Sequence, residues 1–426
     1  MAEFLRLADL SQALGVWLQA AQPLPRAPAE LVPTQAALGR ILAEDVQATC
    51  DLPPFRRSTV DGYAVIAADT FGATPSLPAY LRIAGEIPMG HPPGLDLEPG
   101  SAAVIHTGGM LPTQADAVVM LEDTQRVGGH EVEVLRAVQA GANVLQQGED
   151  LRRGEVALRA GSPLRPQELG GLMALGIERV PCRARIQVGL LSSGDEVVPP
   201  TREPMPGQVR DVNEATLTAL IELAGGRATS YGIVPDDPAP LEATLRQAVA
   251  ENALVLISAG SSVSSRDSTA EVIRRLGPPG VLVHGLRVRP GKPTILAVVG
   301  EVAVLGLPGN PVSALMLAHC LAVPMIHAML GVRTAGMSPS VSARLTENVP
   351  SEAGREDFIP VCLRTSPNGP EAAPVHGRSN LIFTLTRADG FVRVAPDVTG
   401  VRAGDLVQVR LFLGDPAQPA PIGSTP

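Results

Sequence analysis

The sequence predicts a multidomain chain of the α/β plus β class, with a central doubly wound βαβ domain flanked by smaller β-rich units. Three observations predict it. Between residues 185 and 331, short apolar runs alternate with helical stretches, the rhythm of a parallel sheet covered on both faces. Residues 254–257, Leu-Val-Leu-Ile, are apolar without a break, as in a strand buried on both sides. The flanking regions, 51–140 and 338–414, are dense in proline and glycine and hold short β-type runs.

Bulk composition narrows the function. A chain of 426 residues with 45% hydrophobic content can hold several cores. Aromatics make up 3%, with one Trp, so stacking platforms for single-stranded nucleic acid are not expected. A net charge of −9 argues against general binding to nucleic acid or to anionic membrane. Cys50, Cys182, Cys320 and Cys362 are far apart and form no metal or redox motif, which suits small buried hydrophobes in a reducing compartment. The N-terminus lacks a basic-then-apolar signal pattern. The longest apolar region, 302–330, is broken by Gly306-Leu-Pro-Gly-Asn-Pro311 and reads as strand, loop and core helix, not a membrane span. The expected location is the cytoplasm.

Each element follows from its local pattern. Residues 4–21 have helical apolar spacing, and 34–44 read as a second short helix. Candidate strands at 60–66, 80–83, 102–105, 117–121 and 132–135 make 51–140 a β-rich domain. Residues 165–176 form a helix started by Pro166 and stopped by Gly176. Residues 1–50 and 141–184 are expected to pair as a small discontinuous linker or dimerisation domain, since neither alone buries enough surface. In the α/β domain, 185–331, strands are expected at 186–191, 227–233, 254–257, 281–288, 294–299 and 302–307. Its helices are expected at 213–224, 241–251, 269–276 and 312–330. A C-terminal β-barrel-like domain, 332–414, takes strands at 341–345, 358–363, 391–394 and 406–413. The tail, 415–426, is expected to be disordered.

The chemistry lies at strand ends. Loops that follow parallel strands emerge on one edge of the sheet, where α/β proteins bind ligands. Here they carry Asp195 and Glu196, Asp236 and Asp237, Asp267, and residues 306–313. Carboxylates beside serine and glycine amides suit Mg²⁺ with a phosphorylated ligand. The small-residue loop containing Gly260, Ser261, Ser262 and Ser264 leads into a helix, so its backbone can approach an anion closely. Arg289 and Lys292, in a stiff Arg-Pro-Gly-Lys-Pro run, could supply positive charge for an oxyanion. His106, beside Thr107, reads as a packed or solvated histidine. There is no dinucleotide fingerprint and no P-loop. Composition and spacing lead as far as an acidic, phosphate-compatible cleft.

An ordered set of motifs goes further. It comprises Pro54-Phe55, Ser58-Thr-Val-Asp-Gly-Tyr-Ala-Val65, Thr107-Gly-Gly-Met-Leu-Pro112, Gly148-Glu-Asp150, Ser193-Gly-Asp-Glu196, Asp211-Val-Asn213, Gly232-Ile-Val-Pro-Asp-Asp-Pro238, Pro290-Gly-Lys-Pro293 and Gly306-Leu-Pro-Gly-Asn-Pro-Val-Ser-Ala314. With these the chain resembles the molybdopterin molybdenumtransferases, the MoeA and gephyrin E-domain family, over nearly its whole length. The resemblance implies an elongated homodimer that inserts molybdate or tungstate into adenylylated molybdopterin, with Mg²⁺-assisted release of AMP. It implies molybdopterin adenylyltransferase as a functional partner. The matching functional positions are Asp61, Thr107, Asp150, Glu196, Asp236 and Asp267, with Glu196, Asp236 and Asp267 at the metal and Asp61 reaching the cleft from the partner subunit. Pterin and nucleotide would lie near Gly260, Ser261, Ser262, Ser264, Gly309 and Asn310, and the oxyanion near Arg289, Lys292, Ser313 and Ser379. The chain departs from the family pattern in four places. Arg56-Arg57 replaces an Asp-Asn pair, Ser261 and Ser262 stand where glycine is usual, Arg289 stands at a usual lysine, and Pro360 replaces an arginine. These departures leave a second reading, a non-catalytic molybdopterin-binding or scaffold paralogue.

Overall fold

The structure, a computed structural model, describes residues 7–22, 27–259, 263–333 and 339–412, with 263–267 described by backbone alone. The expected tail, 415–426, and the first residues of the expected opening helix lie outside the described residues.

The helix expected at the N-terminus is α1 (Leu10–Ala20). Its buried face carries Leu10, Ala13 and Trp17, which pack on the central sheet. The Trp17 indole donates a hydrogen bond to the Ala297 carbonyl at 2.8 Å, so a buried N–H is satisfied across 280 residues of sequence.

Residues 34–44 do not form the expected helix. Only Thr34–Ala36 make a short 3-10 turn. Gly39 then takes φ +73, and the backbones of Gly39, Arg40 and Leu42 bond to Ser162 and Leu164. Tertiary pairing overrides helical propensity here. Nearby, Ala29–Pro33 pairs antiparallel with Arg179–Arg183 over a shared apolar cluster, joining the chain segments on either side of the β-rich region.

The β-rich region is a six-stranded sheet in which Gly62–Val65 lies between Ser101–Ile105 and Ala117–Met120. Gly62 is required there, because a Cβ would sit 1.9 Å from the Val119 carbonyl oxygen.

The central domain runs β1 (Ile186–Ser193), α2 (Asn213–Leu223), β2 (Gly226–Val234), α3 (Pro238–Glu251), β3 (Leu254–Ala259), α4 (Val263–Leu276), β4 (Pro279–His284), β5 (Ile295–Val299), β6 (Val302–Pro308) and α5 (Pro311–Leu330). The sheet order is β2-β1-β3-β6-β5-β4. β2, β1, β3 and β6 are mutually parallel, so all four end on one edge. The expectation of a parallel sheet is corrected at β5, which runs antiparallel to both of its neighbours, β6 and β4, so that β4 itself points the same way as the other four strands. The cause is the Gly300-Glu301 turn, too short for a crossover, which folds β5 onto β6 as a hairpin. Along β3, Leu254 and Leu256 face α1, α2 and α5, whereas Val255 and Ile257 face α3 and α4. The uninterrupted apolar run is therefore what two covered faces require.

Beyond it, β7 (Ser340–Leu345), β8 (Glu356–Ser366), β9 (Gly369–Pro374), β10 (Gly390–Val394) and β11 (Leu406–Leu411) close into a five-stranded barrel. Helix α5 is apolar and long enough to span a membrane by composition, but it is mostly buried between the central sheet and the barrel. It begins with Pro311 and ends at Gly331, whose φ of +68 suits a glycine stop.

His319 on α5 is 6% exposed and meets Phe391 and Phe412 edge-on, with ring centroids 5.7 and 6.0 Å away. Burial pushes its pKa down to about 4, helped by Arg410 and His327. The folded state therefore keeps it neutral where the unfolded chain takes up a proton, and stability is lost as pH falls from about 6.5 toward 4. Stability measured by urea unfolding across that window is expected to fall by at most about 1.4 kcal/mol per pH unit from this group, and His319→Leu is expected to flatten the slope.

Candidate active site

The carboxyl edge of the parallel strands carries the first group. Asp236, after β2, accepts a hydrogen bond from the Ser193 hydroxyl at 2.8 Å. Its own N–H donates to Asp195 Oδ1 at 3.2 Å, and Gly194 N–H donates to the Val234 carbonyl at 3.2 Å. The loops after β1 and β2 are thus bonded together, and both Glu196 and Asp236 are exposed at this edge. A Cβ at Gly194 would lie 2.9 Å from Glu196 Oε2 and from Val197, so a larger residue there would push the Glu196 side chain aside. Asp237 is a helix cap, accepting from Ala239 N–H at 3.0 Å. Among the described residues, no three His, Cys, Asp or Glu side chains gather as a metal cluster. Gly260, Ser261 and Ser262 lie outside the described residues. Ser264 and Asp267 fall in the first turns of α4, where only the backbone is described.

Next along the edge, the Asp211-Val-Asn213 motif has a structural role. Asp211 Oδ1 accepts from the N–H groups of Asn213 and Glu214, capping α2. Asn213 Nδ2 donates to Ser258 Oγ at 2.6 Å and to the Gly309 carbonyl at 2.9 Å, tying the ends of β3 and β6. Asn310 Nδ2 then donates to Ser379 Oγ at 3.1 Å, and Val312 N–H to the Ser379 carbonyl at 3.0 Å. The start of α5 is thereby joined to a barrel loop.

That junction walls a cleft of about 830 Å³, and Arg289, Lys292, Asn310, Ser313 and Ser379 all line it. The stretch 281–288, expected as one strand, is divided. β4 stays in the central sheet, while Val288–Arg289 pairs with Glu356–Asp357 of the barrel. Gly291 presses on α5, since a Cβ would lie 2.1 Å from Leu317 Cδ1, and this holds the Pro-Gly-Lys-Pro loop against the helix. Arg289 lies 3.9 Å from the buried carboxylate of Asp357, which also accepts from Arg355 Nε at 2.9 Å. Pro360 lines the same cleft, as does Arg378, which the sequence did not single out.

The second group lies on the β-rich sheet. Antiparallel pairing sets Asp61, just before Gly62, beside Thr107, just after Ile105. Asp61 Oδ1 accepts from Thr107 N–H at 2.8 Å and from Thr107 Oγ1 at 3.3 Å. His106, read from sequence as packed or solvated, stands between two carboxylates: Nδ1 is 3.6 Å from Asp61 and Nε2 is 3.1 Å from Glu86. Only the close pairing of two distant strands reveals that arrangement. Arg56, one of the departures, donates to the carbonyls of Pro112, Thr113 and Ala115 and so anchors that loop. Asp150 lies in an exposed turn, its N–H bonded to the Leu52 carbonyl. Among the described residues, no hydrogen bond or ion pair links Asp61, Thr107 or Asp150 to the carboxylates of the central sheet.

Comparison with known proteins accounts for this layout. Residues 8–176 match the family described as MoeA N-terminal region (domain I and II), 189–328 the "Probable molybdopterin binding domain", and 342–412 the MoeA C-terminal region (domain IV). The molybdopterin molybdenumtransferase of Haemophilus influenzae is 32% identical over 385 residues, spanning 90% of this chain and 94% of its own. Molybdopterin molybdenumtransferase 2 of Mycobacterium tuberculosis is 33% identical over 387 residues, covering 89% and 94%. The chain belongs to the molybdopterin molybdenumtransferase family. The crystal structure of a MoeA molybdopterin biosynthesis protein from Pyrococcus horikoshii superposes with a TM-score of 0.83 at 31% identity, covering 96% of this chain and all of that one.

In this member of the molybdenumtransferase family, the Asp61 carboxyl is held below its ordinary range, chiefly by the Thr107 backbone N–H, with the Thr107 hydroxyl and His106 assisting. A depressed folded pKa means the stabilisation is present above the unfolded value and is lost as pH falls through the folded one. In an NMR titration, Asp61 is expected to have a midpoint below 3.8. Thr107→Ala is expected to keep most of that depression, because the dominant donor is the backbone.

Proposed function

We propose that the protein acts in molybdenum cofactor biosynthesis by inserting molybdate or tungstate into adenylylated molybdopterin, with Mg²⁺-dependent release of AMP. The observation that carries this reading is the continuity of one sheet edge, which has paired carboxylate loops at β1 and β2 and a cationic cleft beyond β6. At about 4.8 Å between neighbouring strands, the edge from β2 to β6 spans roughly 14 Å, a length suited to a substrate with a nucleotide at one end and a pterin dithiolene at the other.

The donor set is chemically right for Mg²⁺, which takes oxygen ligands and needs only one or two carboxylates beside water and phosphate. In this reading Glu196 and Asp236 hold it, with Asp267 as a third ligand. When bound, Mg²⁺ stabilises negative charge on the phosphoanhydride as AMP leaves. The Ser193 hydroxyl, bonded to Asp236, fixes the orientation of that carboxylate. Gly260, Ser261, Ser262 and Ser264 cradle the phosphate, and Gly309 and Asn310 border the pterin. Arg289, Lys292, Ser313 and Ser379 hold the incoming oxyanion next to the dithiolene, which lowers the entropic cost of the encounter.

Among the described residues, no hydrogen bond or ion pair joins Asp61, Thr107 or Asp150 to the carboxylates of this edge. The reading therefore places them at the site of a second copy in a homodimer. The adenylylated substrate would come from molybdopterin adenylyltransferase.

The test is AMP release by purified protein supplied with adenylylated molybdopterin, Mg²⁺ and molybdate or tungstate. Release is expected to need both the metal and an oxyanion. Ser193→Ala, which loosens Asp236 without deleting it, is expected to slow release about 10- to 100-fold. No AMP with either oxyanion would overturn the reading.

A further inference from the structure

The cleft between α5 and the barrel holds more positive charge than the sequence motifs account for. Among the described residues three ion pairs touch it: the buried Asp357 pairs with both Arg289 and Arg355, and His376 with Glu347. Lys292 and Arg378 also line it, and neither enters an ion pair among the described residues. Both are exposed to solvent, which carries their charge when no anion is bound, and both face one cavity, where a tetrahedral dianion would balance the two charges.

Arg378 is built to be that contact. Its backbone is fixed on either side. The Arg378 carbonyl accepts from Leu381 N–H at 3.0 Å, and the next residue, Ser379, is bonded to Asn310 and to the first turn of α5. Gly377 before it lies so close to Thr384 that a Cβ would sit 2.0 Å from Oγ1. The loop is therefore held in place while the guanidinium stays exposed. Pro360, which also lines the cleft, offers no N–H, and its carbonyl is already occupied by Val375 N–H at 2.8 Å. Arg289 is drawn partly toward Asp357. Arg378 is thus the guanidinium most free to present a planar fork of N–H donors to oxyanion oxygens, which the point charge of Lys292 cannot do.

We propose that Arg378 is an oxyanion-binding residue of this cleft and sets its affinity for tetrahedral dianions. The proposal rests on the cleft being the oxyanion site of the function proposed above.

Calorimetric titration of the intact protein with molybdate and with tungstate tests it. Arg378→Ala is expected to weaken binding about 10- to 100-fold, the loss typical of one charged hydrogen-bonding group. Arg378→Lys is expected to recover part of it, and the unfolding temperature of both variants to stay unchanged. In turnover, Arg378→Ala is expected to raise KM for the oxyanion and leave KM for adenylylated molybdopterin alone. If Lys292→Ala loses oxyanion binding but Arg378→Ala binds like the unmodified protein, the role of Arg378 is overturned and the cleft stands. If the unmodified protein binds neither oxyanion, the cleft assignment fails, and the proposal with it.

Discussion

The structure depends on the burial of helix α5. It packs in one apolar cluster with residues of the central sheet and of the barrel, and its His319 meets the barrel's Phe391 edge-on. Apolar burial is non-directional and would by itself leave the two domains free to slide. Directional contacts at the helix start fix the register. Val312 N–H and the Asn310 amide hold Ser379, while Gly291 seats its loop on Leu317. The cleft is the space left between surfaces pinned in this way, so its shape is set by the core beneath it.

The same helix continues the sheet edge. β6 delivers Gly309 and Asn310 to the edge where β1 and β2 deliver Glu196 and Asp236, and Asn213 ties β3 to β6 from below. Acidic and basic groups are thus held apart on one rigid line. That separation matters chemically, because a carboxylate pair able to hold a hard cation would neutralise the basic groups if the two met. A substrate with a phosphoanhydride at one end and an oxyanion acceptor at the other can use both.

Much of this was legible in the sequence, and the limits have physical causes. The doubly covered strand at 254–257 and the stop signals around α5 are strong because burial on both faces and helix termination leave little freedom of composition. The direction of β5 was not legible, since apolar runs read the same either way and only the two-residue Gly300-Glu301 turn reports the hairpin. β9, Gly-Pro-Glu-Ala-Ala-Pro, lacks β-branched residues and exists because its neighbours close a barrel around it. At the site, Lys292 stood out through a stiff loop. Arg378 did not, because His-Gly-Arg-Ser-Asn reads as an ordinary turn until the barrel is docked on α5. His106 became notable only when strand pairing set it between Asp61 and Glu86.

Diffraction from crystals of the protein grown with AMP, Mg²⁺ and tungstate bears most directly on the claim that one sheet edge serves both ends of a single substrate. The account expects anomalous tungsten density in the cleft beside Lys292, Arg378 and Ser379, and the AMP phosphate at the ends of β1 and β2 near Asp236. The two are expected within roughly 15 Å of each other, about three strand spacings. Tungsten bound away from the cleft, or a phosphate remote from the β1 and β2 loops, would contradict it.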